Sequence, residues 1–331
     1  MPMKSERSLG RSDGASLVLG PDEVAALADY PALIGALEEA FRGDCVAPQR
    51  AHHRMAVPGG SDATLLLMPA WSPGRYVGVK VASVFPDNGA KGLAAVQSVY
   101  LLSSGETGRL LATIDGAELT SRRTAAASAL AARRLARADA SRLLIVGTGE
   151  IARRVAAAHA AVRPICTVAV WGRDRGRAVA LADELARDGF AARATDDLEA
   201  AVAEADIVSC GTLSRVPLIQ GAWLRPGTHL DLIGAFTPEM RETDDAAVRR
   251  ASVFVDTGAA LEEAGDLVQP MRAGAIGRDH VRADLADLAA GRHPGRCRED
   301  EITLFKSVGA SLEDLAGATL CYERARARGR N

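Results

Sequence analysis

The 331-residue sequence predicts an α/β protein in two parts, a doubly wound parallel sheet and a smaller α+β unit, and three observations predict it. Strand-like and helical runs alternate beyond about residue 140, the pattern of a parallel sheet with helices on both faces. Ahead of about residue 118, strand-like runs follow one another without helices between them, which favours antiparallel pairing. The apolar run Leu143–Val146 passes directly into Gly147-Thr148-Gly149 and then a helical pattern, the local layout of a phosphate-binding turn.

The elements follow in order. Met1 to Ala15 is polar, Gly- and Ser-rich and has no apolar segment, so it reads as a mobile tail and not a signal peptide. Glu23 to Phe41 reads as one amphipathic helix with Pro21 and Asp22 near its start. Strands are expected at Ala63–Met68, Arg75–Phe85, Val96–Leu102 and Arg109–Ile114, the last two joined by the turn Ser103 to Gly108. A long Ala-rich helix is expected from about Ser121 to Ala138. The alternating series then runs through Leu143–Val146, a helix to about Ala160, Thr167–Trp171, a helix from about Arg177, and strands at Ala205–Cys210, Thr228–Ile233 and Ser252–Val255. A final helix, Leu312 to about Ala325, packs back on the first part, and the basic run Arg324 to Arg330 reads as a frayed, solvated end. The division is therefore 1-118 plus 311-331 for a substrate-binding and dimerisation domain, and 119-310 for the nucleotide-binding domain.

Composition narrows the class of function. Hydrophobic residues make up 48% and aromatics only 4%, so the cores must be built from Ala, Val and Leu. A formal net charge of -2 and the lack of a basic patch interleaved with aromatics argue against a nucleic-acid partner. No apolar run approaches the roughly 20 residues that cross a bilayer. Five scattered cysteines without a C-x-x-C pair fit reduced thiols in a cytoplasmic protein, and no metal-ligand spacing is present.

The cofactor motif is the strand, G-x-G-x-x-A and helix at Arg142 to Ala152, a Rossmann fingerprint. Gly147 permits the tight turn, Gly149 lets the backbone approach a pyrophosphate, and Ala152 allows close helix–strand packing, with Thr148, Glu150 and Ile151 completing the turn. The second strand ends Trp171-Gly172-Arg173-Asp174. An NAD site usually has a carboxylate at this tip for the ribose hydroxyls; Gly172 stands there instead, and Arg173 and Arg177 follow. A guanidinium without the acid suits a 2′-phosphate, which favours NADPH over NADH. The competing reading makes Arg173 a solvated loop residue and gives the ribose to Asp174.

Four further cations draw notice. By strand alternation Lys80 faces away from Val77, Val79 and Val81, either into solvent or into a pocket where its ammonium meets a carboxylate or donates a proton. Arg122 and Arg123 fall in the first turn of the predicted Ala-rich helix, where the dipole disfavours cations unless an anion is shared. Arg50 lies in an ordinary loop, followed by His52 and His53, of which at most one faces a site.

Taken together, the blocks Pro48-Gln49-Arg50, Val77-Gly78-Val79-Lys80, Thr120 to Ala126, the glycine fingerprint, Asp231 to Glu242 and Ile302 to Gly309 resemble the ornithine cyclodeaminase/mu-crystallin family. The resemblance implies a homodimer joined through the first domain, and a substrate carboxylate held by Arg50, Lys80 and Arg123 beside the nicotinamide. Cyclodeaminases of the family carry an aspartate where this chain aligns Phe236, a residue unable to orient an ammonium. Phe236 and the Gly172-Arg173 tip look instead like the NADPH-using ketimine reductases, and residues 234–242 are most similar to bacterial reductases of Δ1-pyrroline-2-carboxylate and Δ1-piperideine-2-carboxylate. The expected partner is thus a small cyclic imino or amino acid, with Lys80 as catalytic residue. The alternatives are an alanine- or opine-type amino-acid dehydrogenase, ornithine cyclodeaminase itself, and a crystallin-like protein that binds NADPH without catalysis.

Overall fold

A computed structural model describes residues 16–329; the N-terminal tail expected at Met1 to Ala15 lies outside them. The first part of the chain comprises β1 (Leu17–Leu19), α1 (Pro21–Leu27), α2 (Tyr30–Arg42), β2 (Ala51–Met55), β3 (Ala63–Ser72), β4 (Tyr76–Val84), β5 (Val96–Ser104) and β6 (Leu110–Asp115). The long helix α3 (Gly116–Leu135) leads into β7 (Arg142–Val146), α4 (Glu150–Ala160), β8 (Thr167–Trp171), α5 (Arg175–Arg187), β9 (Ala191–Ala194), α6 (Leu198–Glu204), β10 (Ile207–Cys210) and β11 (His229–Leu232). The remainder is α7 (Asp245–Arg250), β12 (Ser252–Val255), α8 (Ala260–Glu263), α9 (Gly265–Arg272), β13 (Val281–Asp284), α10 (Leu285–Ala289), β14 (Thr303–Lys306) and α11 (Ser311–Arg328).

Two sheets result. The first has the order β1-β6-β5-β4-β3-β2, antiparallel throughout except that β1 lies parallel to β6. The second is wholly parallel, ordered β13-β12-β14-β11-β10-β7-β8-β9. From β7 the chain winds outward to β8 and β9 on one side and to β10 and β11 on the other. The crevice at that switch point is where such sheets bind ligands. The doubly wound sheet and the α+β companion expected from the sequence are both present.

Helix α3 belongs to both halves. Its alanines pack in one core with α2, α11 and the inner face of β5 and β6, and that core extends to Phe254 of β12 and Phe305 of β14. Alanine permits this close approach of backbone on both sides at no cost in helix propensity.

Several expectations are corrected. The helix expected from Glu23 to Phe41 is two helices, because Asp29 caps a new one by accepting from Ala32 N at 3.1 Å, with Pro31 in its first turn. Helix α3 starts at Gly116, not Ser121, capped by Asp115, which accepts from Glu118 N. Arg122 and Arg123 therefore stand in its second turn, and the dipole argument for them fails. Arg122 pairs with Glu118 at 2.7 Å, one turn back. The C-terminal basic run is not frayed as far as Arg328: Arg324 pairs with Asp29 and Arg328 donates to Ala26 O. His52 and His53 are both exposed on β2, the edge strand.

Candidate active site

The glycine turn lies at the C-terminal ends of β7, β8 and β10. Gly147 has φ +122°, a conformation side chains rarely adopt, and a Cβ there would come within 2.7 Å of Gly211 O. Gly149 has open space where a Cβ would stand, and it leads into the eleven-residue helix α4. A cleft of about 310 Å³ opens over this turn, walled by Thr148, Trp171, Gly172, Arg173, Arg177 and the loop Gly211 to Ser214. Glu150, Ile151 and Ala152 do not line it; Ala152 is buried beneath, packed in the core with Val155 and Val168. An open glycine-rich ledge at a helix N-terminus fits a dinucleotide's phosphates.

At the β8 tip, a Cβ on Gly172 would approach Thr148 Cγ2 to 2.7 Å, so a side chain there requires the Thr148 methyl to turn aside. Asp174 is occupied as the cap of α5, accepting from Arg177 N at 3.1 Å, and its other oxygen lies 3.7 Å from Arg177 Nε. Arg175 pairs with Asp196 at 2.5 Å. Arg173 is exposed and makes no hydrogen bond or ion pair among the described residues.

Three of the four singled-out cations meet at the junction where β14 leads into α11. Lys80 is only 4% exposed: strand β4 turns Gly78, Lys80 and Ala82 inward and leaves Val77, Val79 and Val81 half-buried on the other face. Burial thus decides between the two readings left open for Lys80. Its Nζ lies 2.8 Å from Asp314 Oδ2 and 3.4 Å from Thr120 Oγ1. Arg123 donates from Nε to Asp314 Oδ1 at 2.9 Å and from Nη1 to Glu313 Oε2 at 2.6 Å. Gly309, at φ +78°, presses its backbone on this guanidinium; a Cβ there would be 2.7 Å from Arg123 Nη1. Arg50 reaches the same turn, donating to Gly309 O at 2.8 Å and pairing with Glu263 of α8 at 3.3 Å. It lines a second cavity, of about 350 Å³, together with Met68, Thr257, Glu263 and Ser311.

Burial acts on these groups unequally. Desolvation brings the Lys80 ammonium down to about 8, with Asp314 opposing the fall. Burial pushes Glu313 up to about 7 against the pull of Arg123, and Asp256 and Asp314 add to the rise. Asp314, equally buried, is held below the usual carboxylate range because Arg123 and Lys80 both bind it.

Sequence reasoning missed the acids. Glu313 and Asp314 look like ordinary first-turn acids of α11, and nothing local marks them as partners of residues 190 and 191 positions away. It also missed Tyr100, fully buried beside Gly78, whose Cβ would come within 2.2 Å of the Tyr100 hydroxyl. A second buried group escaped as well. Glu242 accepts from Thr212 N at 2.7 Å, Thr212 Oγ1 at 2.8 Å and Gly234 N at 2.8 Å, tying together the loops that follow β10 and β11. Lys306, inside β14 and fully buried, stands 3.3 Å from Asp266 and 3.9 Å from Glu242. Phe236 lies in the loop after β11 and is 46% exposed.

Comparison with known proteins places this geometry. The chain is 44% identical over 281 residues to a Δ1-pyrroline-2-carboxylate reductase of Paracoccus denitrificans, covering 84% of this chain and 88% of that one. Among solved structures, it matches a Thermococcus litoralis Δ1-pyrroline-2-carboxylate reductase in complex with NADH and L-proline, with TM-score 0.89 and 34% identity over 95% of this chain and 98% of that one. An archaeal alanine dehydrogenase dimer with bound NAD matches with TM-score 0.86 and 31% identity, over 95% and 97% of the two chains. The model of the ornithine cyclodeaminase/mu-crystallin family matches residues 16–329, so the resemblance read from the sequence blocks is borne out. This chain belongs to the ornithine cyclodeaminase/mu-crystallin family.

Proposed function

We propose that the protein uses NADPH to reduce a small cyclic imine carboxylate, Δ1-pyrroline-2-carboxylate or Δ1-piperideine-2-carboxylate, to L-proline or L-pipecolate. Oxidoreductase chemistry with a nicotinamide cofactor is the coarser part of this reading, and the family relationship carries it. The finer part rests on one observation, the convergence of Lys80, Arg123 and Arg50 on the stretch from Gly309 to Asp314 where β14 leads into α11.

In this reading Arg123 and Arg50 grip the substrate carboxylate, and planar guanidinium groups suit that oxygen pair. Arg123 keeps Nη2 without a hydrogen bond among the described residues, so a donor remains for the ligand. Lys80 binds the same carboxylate or lies near the imine nitrogen and supplies the proton. Its ammonium, brought down to about 8, is charged at neutral pH yet gives up its proton more readily than an exposed lysine. The cofactor, when bound, supplies the hydride. Gly147, Gly149 and the start of α4 hold its phosphates, and Arg173 reaches for the 2′-phosphate. Phe236 offers an apolar wall suited to ring methylenes and unsuited to a free ammonium.

The same reading includes a homodimer. Trp71, Val77, Val79, Val81 and Leu101 share the outer face of the first sheet, half-buried, and none belongs to the hydrophobic cores. An apolar sheet face of this kind is a surface for a second copy.

The test is loss of nicotinamide absorbance on mixing purified protein with each imine and either NADPH or NADH. Oxidation that is faster with NADPH is expected. Activity appearing only with an open-chain keto acid plus ammonia or an amine would replace the reading with an amino-acid dehydrogenase.

A further inference from the structure

We propose that Glu313 takes up a proton when the substrate carboxylate enters, so that the buried charge around Arg123 stays balanced. The inference rests on the reading that Arg123 and Lys80 receive that carboxylate. Lys80 and Arg123 are two cations, and Glu313 and Asp314 are two carboxylates, all with side chains at most 5% exposed. Asp256 adds a third acid nearby, its oxygens committed to the backbone N–H groups of Val308, Gly309 and Thr257. At the rim, Arg50 is already matched by Glu263. A further carboxylate arriving from the substrate has no uncompensated cation to meet. Leaving the added charge unbalanced in a dry site is costly, and the usual response is protonation of an acid.

Geometry selects which acid. Asp314 uses both oxygens, one on Arg123 and one on Lys80, so protonating it weakens two ion pairs. Glu313 uses only Oε2, on Arg123 Nη1; its Oε1 is buried and has no hydrogen-bond partner among the described residues. A proton placed on Oε1 displaces no hydrogen bond and weakens only the single ion pair to Arg123, which leaves that guanidinium freer to turn to the substrate. The charged groups acting on this acid are Arg123 from α3, Asp256 after β12, Asp314 beside it on α11 and Lys80 from β4. Of the acids among them, burial raises Glu313 to about 7, close to working pH, while Asp314 is held lower.

The experiment is calorimetric titration of the NADP⁺-saturated enzyme with pyrrole-2-carboxylate, a planar analogue without a reducible imine. It is run at pH 6 and pH 8, each in two buffers of different ionisation enthalpy, with wild type and Glu313→Gln. At pH 8 the wild type is expected to take up close to one proton more than the variant, which keeps only the uptake of Lys80, itself near 8; at pH 6 both take up little. Binding at pH 8 without proton uptake, or equal uptake by the variant, overturns the role of Glu313 and leaves the carboxylate site intact. Failure of the analogue to bind at either pH overturns the carboxylate site itself, and with it this inference. Should the variant not fold, the wild type still decides. Its KM for the imine is expected to be about tenfold higher at pH 8 than at pH 6, as an obligatory protonation near pH 7 requires. A KM that stays level across that range overturns the proposal.

Discussion

Replacing Arg173 by alanine tests the cofactor reading with little risk to the fold. The side chain is exposed and holds no partner among the described residues, whereas its neighbours Arg175 and Arg177 are engaged with Asp196 and Asp174. Surface changes of this kind stay within about 0.5 kcal/mol in stability. A charge-assisted hydrogen bond contributes about 1.5–3 kcal/mol. The solvent-facing position of Arg173 argues for a discount to about 1–2 kcal/mol. That corresponds to a loss of about 5- to 30-fold in kcat/KM for NADPH. NADH carries no 2′-phosphate, so its kcat/KM should stay within about twofold. The assay is steady-state kinetics with each cofactor at saturating imine, with thermal unfolding to confirm the fold. An equal fall with both cofactors would show that Arg173 shapes the turn and does not read the phosphate. An unchanged NADPH value would return it to the status of a solvated loop residue.

Four other outcomes are expected. Lys80→Ala should lower turnover by about 100-fold or more while circular dichroism stays that of a folded protein, and wild-type-like kinetics would remove lysine from the chemistry. Because burial lowers the Lys80 ammonium of the unliganded protein to about 8, kcat/KM of the wild type should decline above that pH, as the proton to be donated is lost. Glu242→Gln replaces one acceptor oxygen by a donor facing Thr212 or Gly234, so nicotinamide binding followed by cofactor fluorescence should weaken about tenfold, while KM for the imine moves little. Val79→Glu places a charge on the half-buried outer face of the first sheet, and light scattering should then report a monomer; an unchanged mass in both proteins would discard that face as the interface.

What the sequence conveyed depended on whether the signal was local. The strand, glycine turn and helix at Arg142 to Ala160 are fixed by contacts within about twenty residues, and their order and limits were read closely. Strand β14 was invisible as a strand because its four residues include Thr303 and Lys306, and a buried lysine breaks the apolar pattern. Strands β9 and β13, four residues each, carry too little periodicity to register. The split between α1 and α2 was written in Asp29-Tyr30-Pro31, a cap followed by proline, and periodicity on either side masked it. Lys80 and Arg123 stood out as misplaced cations, but their partners did not, since pairing with Glu313 and Asp314 is created only when α11 returns across α3 and β4.

The cost of that return is an argument about purpose. Four ionised groups buried together gain little or no net stability, because the loss of hydration rivals their mutual attraction; well-packed apolar residues of similar size often do as well or better. The apolar core beside them, chiefly of alanine, leucine, isoleucine, phenylalanine and tyrosine, has no structural need of Lys80, Arg123, Glu313 and Asp314 at one point. What the arrangement does provide is a pair of cations kept in place before any ligand arrives. Their charges are covered by Glu313 and Asp314, whose backbone is anchored in α11. On the proposed reading, an entering carboxylate would meet donors already oriented and need only compete for them, so that the acids, and not the cations alone, would set how tightly and at what pH it is held.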